Sequence, residues 1–201
     1  MQHDIQQLPP QDRYKLLVGG IIPRPIAWVS TLSANGTHNL APYSFFSVAS
    51  VTPPVLTLTH VMPQTQQEKD TLRNLKDTGD AVVNIVSANM ADKMNATAAV
   101  HPNDVSEFEL AQVTACDSQT VQAKSVADAQ VRYECRLRDL ITLADTPTGG
   151  TLILLDVTHV YTCDSVMENG HINPEKLDTI GKLGGDLYAT TRDRFSLARP
   201  H

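Results

Sequence analysis

Long apolar runs are missing from this sequence of 201 residues. None approaches the ~20 residues a membrane-spanning helix needs, so no membrane association is expected. The start, Met1-Gln2-His3-Asp4, has neither the basic residues nor the apolar stretch of a secretion signal. Cysteine is scarce. Cys116, Cys135 and Cys163 are odd in number and widely spaced, which argues against a disulfide framework or zinc motif and for a reducing, cytoplasmic setting. The histidines are scattered without metal-ligand spacing, so no metal site is expected. There is no basic surplus: a net charge of -6 gives no footprint for nucleic acid or anionic lipid, although a local basic pocket remains open to it. No Gly-x-Ser-x-Gly elbow is present, no cysteine has an activating context, and no glycine-rich loop precedes a lysine. The dispersed carboxylates form no recognisable acid–base pair.

What is present is an ordinary globular composition, 41% hydrophobic and 19% charged, in a chain long enough to bury a core. Residues 1–20 read as a polar lead-in with a short helix near Tyr14 to Val18, and residues 21–201 as one domain. β-Branched and aromatic content predicts a strand over Ile26–Ser33, followed by an Asn35-Gly36 hairpin turn. Tyr43–Ser50 and Val55–Thr59 are further strands divided by Thr52-Pro53-Pro54, and residues 60–67 read as a polar loop. A helix is expected from Asp70 to Thr78 with Gly79 as its stop, then a strand over Ala81–Val86. A second helix spans Asn89–Ala99, where Met90, Met94 and Ala98 recur every fourth residue. Residues 101–130 read as loop with a helical turn at Glu107–Leu110. Val131–Leu143 and Thr151–Tyr161 are long strands around the turn Thr146–Gly150, and the chain after Cys163 reads as irregular. This order is mainly β with helices, and it suits an antiparallel barrel better than a parallel βαβ sheet.

Two polar clusters carry chemistry. Glu68-Lys69-Asp70-Thr71-Leu72-Arg73-Asn74 opens the first long helix, where free N–H groups favour an anion. Lys69, Thr71 and Asn74 have the donors to hold a phosphate there; plain capping by Asp70 with Lys69 solvated explains the same residues equally well. The other cluster runs through Ile22-Pro23-Arg24-Pro25-Ile26-Ala27-Trp28-Val29-Ser30-Thr31 and Asn39-Leu40-Ala41-Pro42-Tyr43-Ser44-Phe45-Phe46. Polar side chains beside prolines and aromatics suit a flat aromatic ligand read by hydrogen bonds along its edge. Ser30 and Thr31 offer hydroxyls at a strand end. Asn39, Ala41 and Ser44 fall in a segment read as irregular, with backbone groups free to meet a ligand. Tyr43 either lines the ring or packs in the core. Arg24, between two prolines, reads as a phosphate or ribityl contact or as an interface ion pair.

The runs Pro23-Arg24-Pro25-x-Ala27-Trp28-Val29-Ser30-Thr31 and Asn39-Leu40-Ala41-Pro42-Tyr43-Ser44 resemble the flavin reductase-like, FMN-binding split-barrel family. The resemblance extends from about Ile21 to Arg199. It places the Lys69-Asp70-Thr71-x-x-Asn74 run on the FMN phosphate, and brings Asn39, Ala41, Pro42, Tyr43 and Ser44 to the flavin, largely through backbone N–H groups. Met94-Asn95-x-Thr97 resembles a run that reaches the flavin across a dimer interface, so Asn95 and Thr97 are second-subunit contacts on this reading. Lys182 stands where the family usually has arginine, which removes the planar fork.

The resemblance implies a homodimer, with Trp28, Met90 and Met94 as apolar surface exceeding what a single barrel need bury. It also implies hydride transfer from NADH or NADPH to FMN, then onward to free flavin, an oxygenase or another acceptor. An FMN-binding electron carrier without NAD(P)H oxidation is the alternative. FMN rather than FAD is expected because no adenylate-binding glycine fingerprint is present. The lack of a nucleophile agrees with hydride transfer, which needs alignment of two cofactors more than acid–base groups.

Overall fold

The computed structural model describes residues 1–65 and 68–200. In chain order its main elements are α1 (Pro10–Gly20), β1 (Arg24–Pro25), β2 (Ala27–Leu32), β3 (His38–Tyr43), β4 (Phe46–Ser50), β5 (Val55–Val61), α2 (Asp70–Thr78) and β6 (Asp80–Ile85). A 3-10 turn at Ala88–Met90, α3 (Ala91–Ala96) and α4 (Glu107–Leu110) follow. The rest comprises β7 (Ala115–Cys116), β8 (Ser125–Val126), β9 (Val131–Thr142), β10 (Gly150–Thr162), β11 (Met167–Glu168), β12 (His171–Ile172), α5 (Pro174–Leu177), β13 (Ile180–Lys182) and β14 (Tyr188–Thr190).

Seven strands form one antiparallel sheet in the order β3-β2-β6-β9-β10-β5-β4. Its outermost strands, β3 and β4, are consecutive in the chain and joined only by Ser44-Phe45. Three residue steps span at most about 11 Å, so the sheet must curl until its edges meet. The Thr59 N–H donates to the Phe45 carbonyl at 2.9 Å, carrying the β5 edge across the junction. The result is a split antiparallel barrel.

β2 is buried on both faces because it separates two cores. Ala27 and Val29 face the barrel interior with Tyr43, Leu58, Val83, Ile153, Leu155 and, from α2, Leu72 and Leu75. Ile26 and Trp28 face a second cluster with Leu40, Met90, Met94, Phe108 and Ile180. Trp28 is fully buried and donates through Nε1 to Thr97 Oγ1 at 2.9 Å. Trp28, Met90 and Met94 are thus covered within one chain, which corrects their reading as interface residues.

α2 has the expected limits, and Gly79 closes it in the left-handed region, φ +75. Other expectations shift. α1 is longer than the short helix read near Tyr14, starting at Pro10, where a missing N–H costs nothing. His60 and Val61 extend β5, while Gln66 and Gln67 of the expected loop lie outside the described residues. The second helix is broken into a 3-10 turn and the short α3. The segment after Cys163 holds paired strands too short to show a period. There β13 pairs with β1 so closely that a Cβ on Gly181 would sit 2.7 Å from Pro23 Cβ.

A candidate cofactor cleft between strand 3 and helix 2

The main departure from the sequence reading becomes the wall of a cleft. His38–Tyr43 is a strand, although Asn39, Ala41 and Ser44 were expected in irregular chain. The edge strand tolerates Pro42, whose nitrogen faces outward and forfeits no ladder bond. The Leu40 N–H points away from β2 and donates to Glu107 Oε2 at 2.9 Å. By the alternation of an antiparallel ladder, Asn39 and Ala41 then turn their amides inward to β2. Their backbone N–H groups are consumed, so what these residues offer a ligand is the Asn39 side chain and the surfaces of Ala41 and Pro42.

Those surfaces line a cleft with the α2 start (Glu68 to Thr71), Pro63 and Thr65, and the segment from Thr97 through His101 and Asn103 to Glu107. It is a shallow cleft, open to solvent on one side. Lys69, not Asp70, is the N-cap of α2, and no side chain among the described residues caps the helix. Leu72 and Arg73 donate back to the Lys69 carbonyl, which leaves the first amides of the helix available. Asp70 is taken by Arg73, and Glu68 by Lys76. With both neighbouring carboxylates engaged, Lys69 has no ion-pair partner among the described residues. Desolvation by the cleft walls lowers its pKa below the ordinary lysine value.

Beneath the cleft lies a buried hydrogen-bond web. Asn39 Nδ2 donates to Thr71 Oγ1 at 3.1 Å and to Thr31 Oγ1 at 3.4 Å, and Asn74 Nδ2 donates to Thr31 Oγ1 at 3.1 Å. Thr31 and Asn74 therefore brace the site from inside the barrel and do not line it. Tyr43 is buried at the web's edge, 6.0 Å from Lys69 Nζ to ring centroid. Among the described residues its hydroxyl makes no hydrogen bond, and burial pushes its pKa up to about 12.

Of the remaining candidates, Thr97 alone lines the cleft. Ser30 faces the second core and donates to the Lys124 carbonyl at 2.5 Å. Ser44 accepts from Arg24 Nε at 3.3 Å. Arg24 does not line the cleft and is in no ion pair among the described residues: it donates to Val18 O at 2.6 Å and to Ile21 O and Leu183 O at 3.0 Å each. Thr97 reaches the cleft, but its hydroxyl donates to Met94 O at 2.7 Å and accepts from Trp28. Asn95 is exposed and accepts from the Tyr188 hydroxyl at 3.1 Å. Lys182 donates to Gly185 O at 2.6 Å and lies 4.0 Å over the Tyr188 ring, so its point charge closes the β13–β14 turn.

Sequence reasoning missed Glu107 and His101, which line the cleft, and His60 beneath it. Glu107 was visible only as part of a helical turn, and only the tertiary fold sets it against β3. Burial, with Asp70 nearby, raises the Glu107 pKa against the opposing Leu40 bond and His101.

Comparison with known proteins gives a consistent result. Residues 19–178 match the flavin reductase like domain family. A protein of Aquifex aeolicus with no assigned function is 40% identical over 177 residues, covering 87% of this chain and 88% of its own. Nitrilotriacetate monooxygenase component B from Bacillus cereus superposes with a TM-score of 0.93 at 34% identity over 98% of each chain. A structure from Shewanella frigidimarina with a split barrel domain, at 22% identity, TM-score 0.84 and full coverage of both chains, shares the fold.

Proposed function

We propose, from the premise that this chain belongs to the flavin reductase-like family, that it is an FMN-dependent oxidoreductase. On this reading it takes hydride from NADH or NADPH and passes the electrons to an oxygenase or another acceptor. One observation carries the reading: Lys69 stands unpaired among the described residues at an uncapped helix start, while Arg73 and Lys76 neutralise the carboxylates on either side. That donor set fits a phosphate. Lys69 and the first α2 amides would hold the phosphate of FMN. Asn39 would direct its side chain at the polar edge of the ligand, and Ala41 and Pro42 would supply apolar surface. FMN, when bound, supplies the acceptance and onward transfer of electrons that no side chain here provides. The protein's part is to anchor, orient and exclude water.

The molecule acts as a cytoplasmic homodimer on this reading. No helix among the described residues is long and apolar enough to cross a membrane. The surface supporting dimerisation is not Trp28 but the exposed apolar side chains Tyr14, Leu17, Ile21 and Leu187. Light scattering should give twice the chain mass.

Lys69→Ala removes one charge-assisted contact, so FMN affinity should fall about 10- to 100-fold. Riboflavin, which lacks the phosphate, should bind both proteins equally. Equal loss of both flavins would refute the phosphate site. Anaerobic mixing with NADH or NADPH should bleach the flavin absorption; a flavin that binds tightly but stays oxidised would make the protein an electron carrier.

A further inference from the structure

Of the three carboxylates lining the cleft, Glu68 and Asp70 are paired with cations; Glu107 has no ion-pair partner among the described residues. It is buried, and its side chain is tied to the edge of β3, where Leu40 N–H reaches Oε2 at 2.9 Å. Its neighbour Ser106 donates to the His38 carbonyl at 2.7 Å, so α4 latches the strand that forms the cleft wall at two points. An anion entering the cleft thus meets one attractive charge, Lys69, and one uncompensated negative charge, Glu107.

We propose that Glu107 is a positioning residue that takes up a proton when an anionic ligand occupies this cleft. The inference rests on the cleft being the phosphate site. Oε2 keeps the Leu40 bond whether or not the carboxyl is ionised, because the proton can go to Oε1. The latch therefore survives while the repulsion disappears. The charged groups around it are Asp70 on α2, whose charge favours protonation, and His101 on the preceding loop, which opposes it when charged. A bound anion adds a second negative charge beside that of Asp70 and favours protonation further. Burial already holds the Glu107 pKa above the ordinary carboxylate value, which brings the step closer to neutral pH.

The test is calorimetric titration of the full-length protein with FMN from about pH 5 to pH 8, in two buffers of different ionisation enthalpy at each pH. Riboflavin is the phosphate-free control, and Glu107→Gln and Glu107→Ala are the variants. The phosphate titrates in its own right, so the readout is the difference between wild type and Glu107→Gln. The amide keeps an acceptor for Leu40 and mimics the protonated acid. It should bind FMN about 3- to 10-fold tighter at pH 7.5, a gap that closes at low pH, and take up fewer protons than wild type. Glu107→Ala, which loses the latch, should bind both flavins more weakly. Proton uptake equal in wild type and Glu107→Gln, with FMN affinity still dependent on Lys69, overturns this inference alone. FMN binding insensitive to Lys69→Ala, or absent, overturns the phosphate site and the inference with it.

Discussion

Arg24 offers the sharpest separation between a structural and a ligand role. The residue is 5% exposed and its guanidinium has no carboxylate partner among the described residues. Instead it donates to carbonyls of Val18 in α1, Ile21 just beyond that helix, and Leu183 in the C-terminal hairpin, and to the Ser44 hydroxyl. The Val18 and Ile21 carbonyls lie at the negative end of α1, which favours a cation. Arg24→Met keeps much of the apolar stem and strands three carbonyls. Desolvation of the guanidinium offsets part of what those charge-assisted bonds contribute, so the net loss should be about 3–5 kcal/mol. For a domain of this size that is a fall of roughly 6–20 °C in Tm. Arg24→Lys, with a point charge and no fork, should recover about half of the loss. Urea and thermal melts followed by far-UV circular dichroism measure the stability. FMN titration well below both transitions measures the site, where affinity should change less than threefold. Stability within 1 kcal/mol of wild type together with tenfold weaker FMN binding would refute the clamp and return Arg24 to the ligand.

Two further predictions concern the cores. Trp28 is the only tryptophan, so its emission should be blue-shifted and inaccessible to iodide, and Trp28→Phe, losing the Thr97 bond and indole volume, should cost about 2–4 kcal/mol; free quenching in the native protein would refute the double-faced burial of β2. His60 is fully buried with both ring nitrogens unpartnered among the described residues, and its pKa is lowered by burial first, then by Lys69 and Lys76 against Glu68. The native state therefore refuses a proton that the unfolded chain accepts. Stability should be unaffected by His60 above about pH 6.5 and fall as pH drops from there toward its lowered native pKa, by at most about 1.4 kcal/mol per pH unit. His60→Leu should remove that part of the slope; an unchanged slope in urea midpoints from pH 5 to 8 would refute it.

The sequence by itself determined the elements whose period or punctuation is strong. Helix α2 ends where Gly79 allows positive φ, and β9 and β10 flank a turn that Thr146 to Gly150 spell out. The resemblance carried by Pro23–Thr31 and Asn39–Ser44 reached the family, and those runs are largely the paired strands β2 and β3. It could not say what each side chain in them does. Residues two apart on β2 share a face, yet Ser30 and Thr31 could be told apart only once it was known which face meets the second core and which the barrel. The tertiary structure alone decided that Arg24 binds carbonyls and that Asn39 and Ala41 spend their amides on β2. It also brought Glu107, 67 positions from Leu40, to the open edge of β3. Local patterns record propensity and burial. A site assembled from distant segments is recorded only by the fold that brings them together.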